Sequence, residues 1–151
     1  MVGTQSTAPG APAPAPPSTV TVLVYSDDVA VREQIRLALG RRVAADLPEL
    51  TCFECATEPA VISAMDRTMK DPNARIDLVI LDGEAVPAGG LGIARQLKDE
   101  IFQCPPLLVL TGRAQDGWLA TWARADAVVS HPIDPVRLAD VAVGLLRSRV
   151  A

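Results

Sequence analysis

Several things are scarce in this sequence, and each scarcity excludes a class of protein. Aromatic residues make up only 3% of the 151 residues, so Val, Leu, Ile and Ala must form the core. No apolar run approaches the roughly 20 residues that a membrane-spanning helix needs. The start of the chain has neither the basic residues nor the apolar stretch of a secretory signal. Three cysteines, an odd number, do not make a disulfide framework, and they suit a reducing compartment. Positive charge is scattered: the longest basic cluster is Arg41-Arg42, and the formal net charge is −4. Nucleic-acid binding draws most of its affinity from clustered Lys and Arg on phosphates, so no nucleic-acid partner is expected. The expected location is the cytoplasm, without membrane insertion, although attachment to a membrane complex from outside is compatible with this.

What is present is ordinary for a globular domain: 49% hydrophobic and 21% charged residues in a length that suits one domain. Residues 1–18 alternate Ala and Pro after a short polar start. Proline removes backbone donors and favours extended geometry, so this tail is expected to be solvated and the domain to occupy residues 19–151.

Apolar, β-favouring runs then alternate with helical patterns. Val20–Tyr25 reads as a buried strand, and from Val29 a helical stripe carries Val31, Ile35, Ala38 and Leu39 up to Gly40. Leu50–Ala56 is a weaker strand, followed by a helix with Val61, Ile62, Ala64 and Met65. Ile76–Leu81 is the clearest strand and runs into Asp82-Gly83. A helix from Leu91 to Ile101, a strand Leu107–Leu110, a helix with two tryptophans, a short strand Ala127–Val129 and a helix from Pro135 complete the series. This alternation predicts an α/β fold with a parallel sheet covered on both faces, doubly wound because crossovers are right-handed. Polar residues follow three strand ends: Asp27, Asp82 and Thr111. In such sheets ligands bind outside the carboxyl ends of the strands, so these three residues mark the expected site.

The pieces Val-Leu-Val-Tyr-Ser-Asp-Asp, Leu-Val-Ile-Leu-Asp, Leu-Leu-Val-Leu-Thr-Gly and Ala-Asp-Ala-Val-Val-Ser-His-Pro-Ile-Asp come in the order and spacing of the CheY-like receiver domains of response regulators. Over Val20–Leu146 the chain resembles that family. The resemblance implies a five-stranded sheet of order 2-1-3-4-5. It places the phosphoacceptor at Asp82, the acidic pocket at Ser26 and Asp27, and the phosphate-contacting positions at Thr111 and His131. Relatives of this fold hold Mg²⁺ between an acidic pair and the acceptor. Here one of the pair is Ser26, which leaves Asp27 and Asp82 as the remaining metal-ligand positions and no cofactor as the expectation. His131 replaces a lysine, a shorter group for a long flexible cation. Val128 stands at the aromatic switch position, and Pro87 lies one residue further from the acceptor than the family's proline. Asp28 is expected to cap the first helix.

These departures point away from enzymatic activity and from regulated phosphorylation, toward an atypical receiver that acts by binding protein. A working phosphorelay receiver using Asp82 is the alternative. The chain ends soon after the last helix, so no output domain is expected. The Ser-Asp-Asp and His-Pro-Ile-Asp pieces are similar to those of receiver-like proteins associated with the respiratory NADH dehydrogenase (complex I) of actinobacteria, which implies an accessory subunit docked on a larger assembly. A homodimer is the other partner considered.

Trp118 and Trp122 share one helix stripe and either pack on the sheet or meet a partner, with Leu119 and Ala123 available for the sheet. The last helix has two apolar stripes, Leu138-Val141-Leu145 and Val136-Ala139-Val143-Leu146. One stripe suffices to cover a sheet, so Val136, Val143 and Leu146 are expected at an interface. Cys52 and Cys55 have metal-site spacing, but on a strand residues three apart face opposite sides, so packing is expected.

Overall fold

The computed structural model describes residues 19–113 and 117–150. The Ala/Pro tail lies outside the described residues.

Strand β1, Thr19–Tyr25, turns Val22 and Val24 to one face and Leu23 and Tyr25 to the other, all fully buried. It pairs in parallel with β2 (Glu49–Cys55) on one side and β3 (Leu78–Asp82) on the other. Strands β4 (Leu107–Thr111) and β5 (Ala127–Ser130) extend the sheet to the order β2-β1-β3-β4-β5. Every residue of β3 and β4 is buried, as a strand covered on both faces requires.

Helices α1 (Val29–Leu39) and α5 (Pro135–Val150) cover one face. Ile35, Leu39, Leu138, Ala142 and Leu146 meet Val22, Val24, Ile80 and Leu110 there. Helices α2 (Glu58–Lys70) and α3 (Gly90–Glu100) cover the other face through Val61, Met65, Ile93 and Leu97, with Ala123 after α4 (Gly117–Trp122). Asp28 caps α1 by accepting from the Ala30 N–H, and Gly40, at φ 65°, ends it in a conformation that glycine adopts without strain.

Of the boundaries that differ from expectation, two have a cause in the packing. Ile76 and Asp77 precede β3, because the Asp77 carboxylate substitutes for the ladder. Its Oδ2 accepts from the Thr21 N–H at 2.9 Å, and Arg75 holds Oδ1 at 2.6 Å. α3 begins one residue early, at Gly90, where a Cβ would stand 2.8 Å from the backbone carbonyl of Asp82. Only glycine lets the helix start so close to the site strand.

The expectation for α5 is corrected. Leu146 is fully buried and belongs to the core with Leu138 and Ala142, and Val143 is partly buried against the same cluster. The reason is a second neighbour: α5 packs on α1 as well as on the sheet, and Arg147 reaches across to Asp46 with Nε and Nη2, each at 2.8 Å. Of the three residues assigned to an interface, Val136 alone stays exposed, at 68%. Leu146→Ala should therefore lower unfolding free energy by about 2–5 kcal/mol. Val136→Ala should stay within about 0.5 kcal/mol, both read by urea denaturation.

Candidate functional site

Three loops meet at the carboxyl end of the sheet, and their centre is Asp82. It is 3% exposed and is surrounded by donors from its own chain. The hydroxyl of Ser26, fully buried at the end of β1, donates to Oδ2 at 2.8 Å. The backbone N–H of Glu84 donates to Oδ1 at 2.9 Å. His131 Nε2 lies 3.1 Å from the same oxygen, and since a carboxylate only accepts, this nitrogen carries the proton. Ser26 is itself oriented, because its oxygen accepts from the Asp28 N–H at 3.1 Å. Arg32 donates to the Ser26 carbonyl at 2.7 Å and to Glu54 on β2 at 3.0 Å, tying this corner to the sheet edge.

The remaining residues stand around this centre without joining it. Asp27 is exposed, and its Oδ1 accepts from the Val86 N–H at 3.2 Å, which anchors the loop after β3. Thr111 is buried and its hydroxyl donates to the Arg113 carbonyl at 3.2 Å, not to Asp82. The Glu84 carboxylate lies over Gly112, so close that a Cβ there would meet Oε1 at 2.6 Å. Together Asp27, Asp28, Val31, Asp82, Glu84 and His131 line a cleft of about 270 Å³.

Receiver relatives hold Mg²⁺ at this place, and the donor set here does not fit it. Mg²⁺ asks for anionic oxygens in tight octahedral order. Both Asp82 oxygens already accept hydrogen bonds from the chain, and Ser26, at the first acidic position, is one of those donors. Among the described residues no group of three or more His, Cys, Asp or Glu could hold a metal ion. The structure therefore does not assemble Asp27 and Asp82 into a metal site.

The thiols carry no chemistry of this kind. Cys52 and Cys55 pack on opposite sides of the sheet, and burial pushes Cys55 up to about 11. Burial raises Cys52 and Cys104 as well, so all three stay protonated near neutral pH.

Trp118 and Trp122 are 68% and 50% exposed, while Ala123 fills the sheet side. Arg95 lies over the Trp122 ring at 4.7 Å from its centre and donates to the Trp122 carbonyl at 2.9 Å. Sequence reasoning missed three contributors: Glu84 as a side chain over Gly112, Arg32 as a brace, and Tyr25, whose phenol donates to Ala88 O at 2.5 Å. Buried aromatics at a strand end signal such a tie only once the partner loop is in place.

No family model matches the chain. It is 55% identical over 131 residues to an uncharacterized response regulatory protein of Mycobacterium tuberculosis, found in two strains, covering 87% of this chain and 94% of the relative. Solved structures agree in fold. A receiver protein from Burkholderia phymatum aligns with a TM-score of 0.66 at 24% identity, covering 85% of this chain and 95% of that one. The receiver domain of a histidine kinase from Syntrophus aciditrophicus gives 0.68 at 20% identity, over 85% and 91%. Fold and site thus define a receiver domain. The chain belongs to the response regulator family.

Removing the Ser26 hydroxyl leaves a buried carboxylate oxygen without its donor. Ser26→Ala should cost about 1–3 kcal/mol in urea denaturation. Burial, then the charges of Asp27, Glu58 and Asp82, hold Tyr25 above its ordinary value of 10.0. A raised pKa means the folded state keeps its proton longer than the unfolded chain. The stability this brings is complete below about pH 10 and is lost as pH climbs through the folded value. Since this is the chain's single tyrosine, tyrosinate absorbance should appear together with unfolding above about pH 10.

Proposed function

We propose that this receiver domain is an atypical one, a non-enzymatic docking module whose binding surface does not wait for a phosphoryl group. The observation that carries this reading is the capped carboxylate: Asp82 already accepts from Ser26, Glu84 and His131. Attack on phosphorus by a carboxylate needs cations to neutralise the transferring oxygens. At this site the chain offers one imidazole in place of a metal seat and a lysine.

The docking surface in this reading is α4. Two exposed tryptophans on one short helix, one of them clasped by Arg95, present an aromatic patch of the kind that dominates interface energetics. Val128 on β5 has no ring to rotate, so nothing at that position couples α4 to the state of Asp82. The match occupies 94% of the M. tuberculosis relative, which leaves that protein little besides its receiver domain. The role in this reading is that of an accessory subunit of a cytoplasmic or peripheral assembly, with respiratory NADH dehydrogenase the first partner to test. No described helix is long and apolar enough to cross a membrane, so attachment would run through protein contacts.

A second reading has its own support. Asp27, Asp82 and Thr111 do converge at one end of the sheet, as a phosphorelay receiver requires. Intact-mass analysis after treatment with acetyl phosphate and Mg²⁺ separates the two. The wild-type chain should gain no phosphoryl group. The double variant Ser26→Asp, His131→Lys should gain one, at a level at least about tenfold above wild type, and lose it when Asp82→Ala is added. Stoichiometric labelling of the wild-type chain would instead establish the relay.

A further inference from the structure

We propose that the open edge of the sheet, strand β2, pairs with the β2 of a second copy of this chain. The two strands run antiparallel, with Phe53 on the two-fold axis.

Strand β2 is an edge strand, bonded to β1 alone. Its seven residues keep an unbroken register with β1, and they include none of the prolines, lysines or bulges that guard an edge. Main-chain groups alternate in direction along it. The Cys55 carbonyl turns toward β1, where it accepts from the Ser26 N–H at 3.2 Å. The Leu50 N–H turns outward and is taken by the Arg41 carbonyl at 2.7 Å. Cys52 and Glu54 share the outward sense of Leu50. Among the described residues no hydrogen bond reaches the N–H or carbonyl of either.

Antiparallel pairing has one register that uses all of these groups. With Phe53 opposite its own copy, Cys52 of each chain meets Glu54 of the other, and each such pair exchanges both main-chain bonds. Phe53 then occupies a non-hydrogen-bonded position, where the chains approach to roughly 4.5 Å between Cα atoms and side chains meet most closely. Its ring is 38% exposed and lies under the Arg67 guanidinium, 5.3 Å away. Aromatic pairs at facing positions are among the contacts that hold strands together.

Charge selects a second copy over a different protein. Beside Cys52 lies a hollow of about 370 Å³ lined by Arg36, Leu37, Gly40, Arg41, Leu50 and Cys52, two arginines and no acid. In this register Glu54 of the other copy stands opposite Cys52, at the mouth of that hollow. Arg41, with its side chain 91% exposed, bonds Glu49 at 3.3 Å, and Arg36 bonds Glu33 at 2.9 Å. These pairs are solvated, so an incoming carboxylate joins them without stripping a buried partner. The two-fold axis repeats the match, and one strand supplies both halves of it. The formal net charge of −4 does not oppose this edge, since Arg32, Arg36, Arg41 and Arg67 face Glu33, Glu49 and Glu54 there. Strand β5 and α4 lie at the other edge, so this pairing stands or falls apart from the docking reading.

Sedimentation of the full-length chain over a concentration series tests it. The wild-type chain is expected to show a reversible monomer–dimer equilibrium. Phe53→Lys and Phe53→Glu, each alone, should raise the dissociation constant at least about tenfold, because like charges then face one another. Mixed in equal amounts, the two variants should recover an affinity within about threefold of wild type, as residue 53 facing its own copy requires. Phe53→Cys in a Cys52→Ser background keeps the strand uncharged and should give a disulfide-linked dimer on mild oxidation. Val136→Cys in the same background, at an exposed position on α5, should not. A chain that stays monomeric, a dimer indifferent to Phe53→Lys, a mixture that fails to recover, or linkage no greater at 53 than at 136 overturns the pairing.

Discussion

The architecture of the site follows from one buried negative charge. A carboxylate that is 3% exposed must be paired or fully hydrogen-bonded, because desolvating it otherwise costs several kcal/mol. In Asp82 that demand is met from within, by a hydroxyl, an amide and an imidazole that come from three different loops. Each donor fixes its own segment. Ser26 sets the end of β1, Glu84 the turn after β3, and His131 the end of β5. The Asp82 carboxylate is thus a hydrogen-bonding hub for three loops.

This hub explains why the surrounding departures belong together. Ser26 in an acidic position would be a defect in a metal site, but its hydroxyl is a fitting donor to a buried carboxylate. His131 is too short to reach across an open cleft as a lysine does, yet it is the right length to meet Asp82 at 3.1 Å. Asp27 takes a backbone amide of the neighbouring loop. The substitutions are coherent as a set, which is the pattern expected when local choices agree with one global state.

The same economy governs the helices. α5 looked over-supplied with apolar residues when weighed against the sheet alone. Its surplus stripe is taken up by α1, so that Leu146 and most of Val143 vanish from the surface. The apolar residues that do stay exposed on these two helices include Val29, Leu37 and Val136. On the opposite face α4 keeps both tryptophans outside, because Ala123 supplies the packing and is small enough to bring the turn against the core.

The sequence alone determined the strands, the helices and their alternation, because period-2 and period-3.6 apolar patterns are local and cap residues such as Asp28 and Gly40 act within one turn. Through the resemblance to receiver domains the sequence also implied the sheet order, and it marked Asp82 as the residue that matters. What it could not determine were distances between residues far apart in the chain. That Ser26 and His131 both turn their protons toward Asp82, that Thr111 turns away, and that α1 hides Leu146 depends on how loops and helices settle against one another. Such contacts join positions 49 to 56 residues apart, or helices at opposite ends of the domain, and no periodicity along the chain encodes them. Tertiary packing chose which polar groups met at the carboxyl end of the sheet.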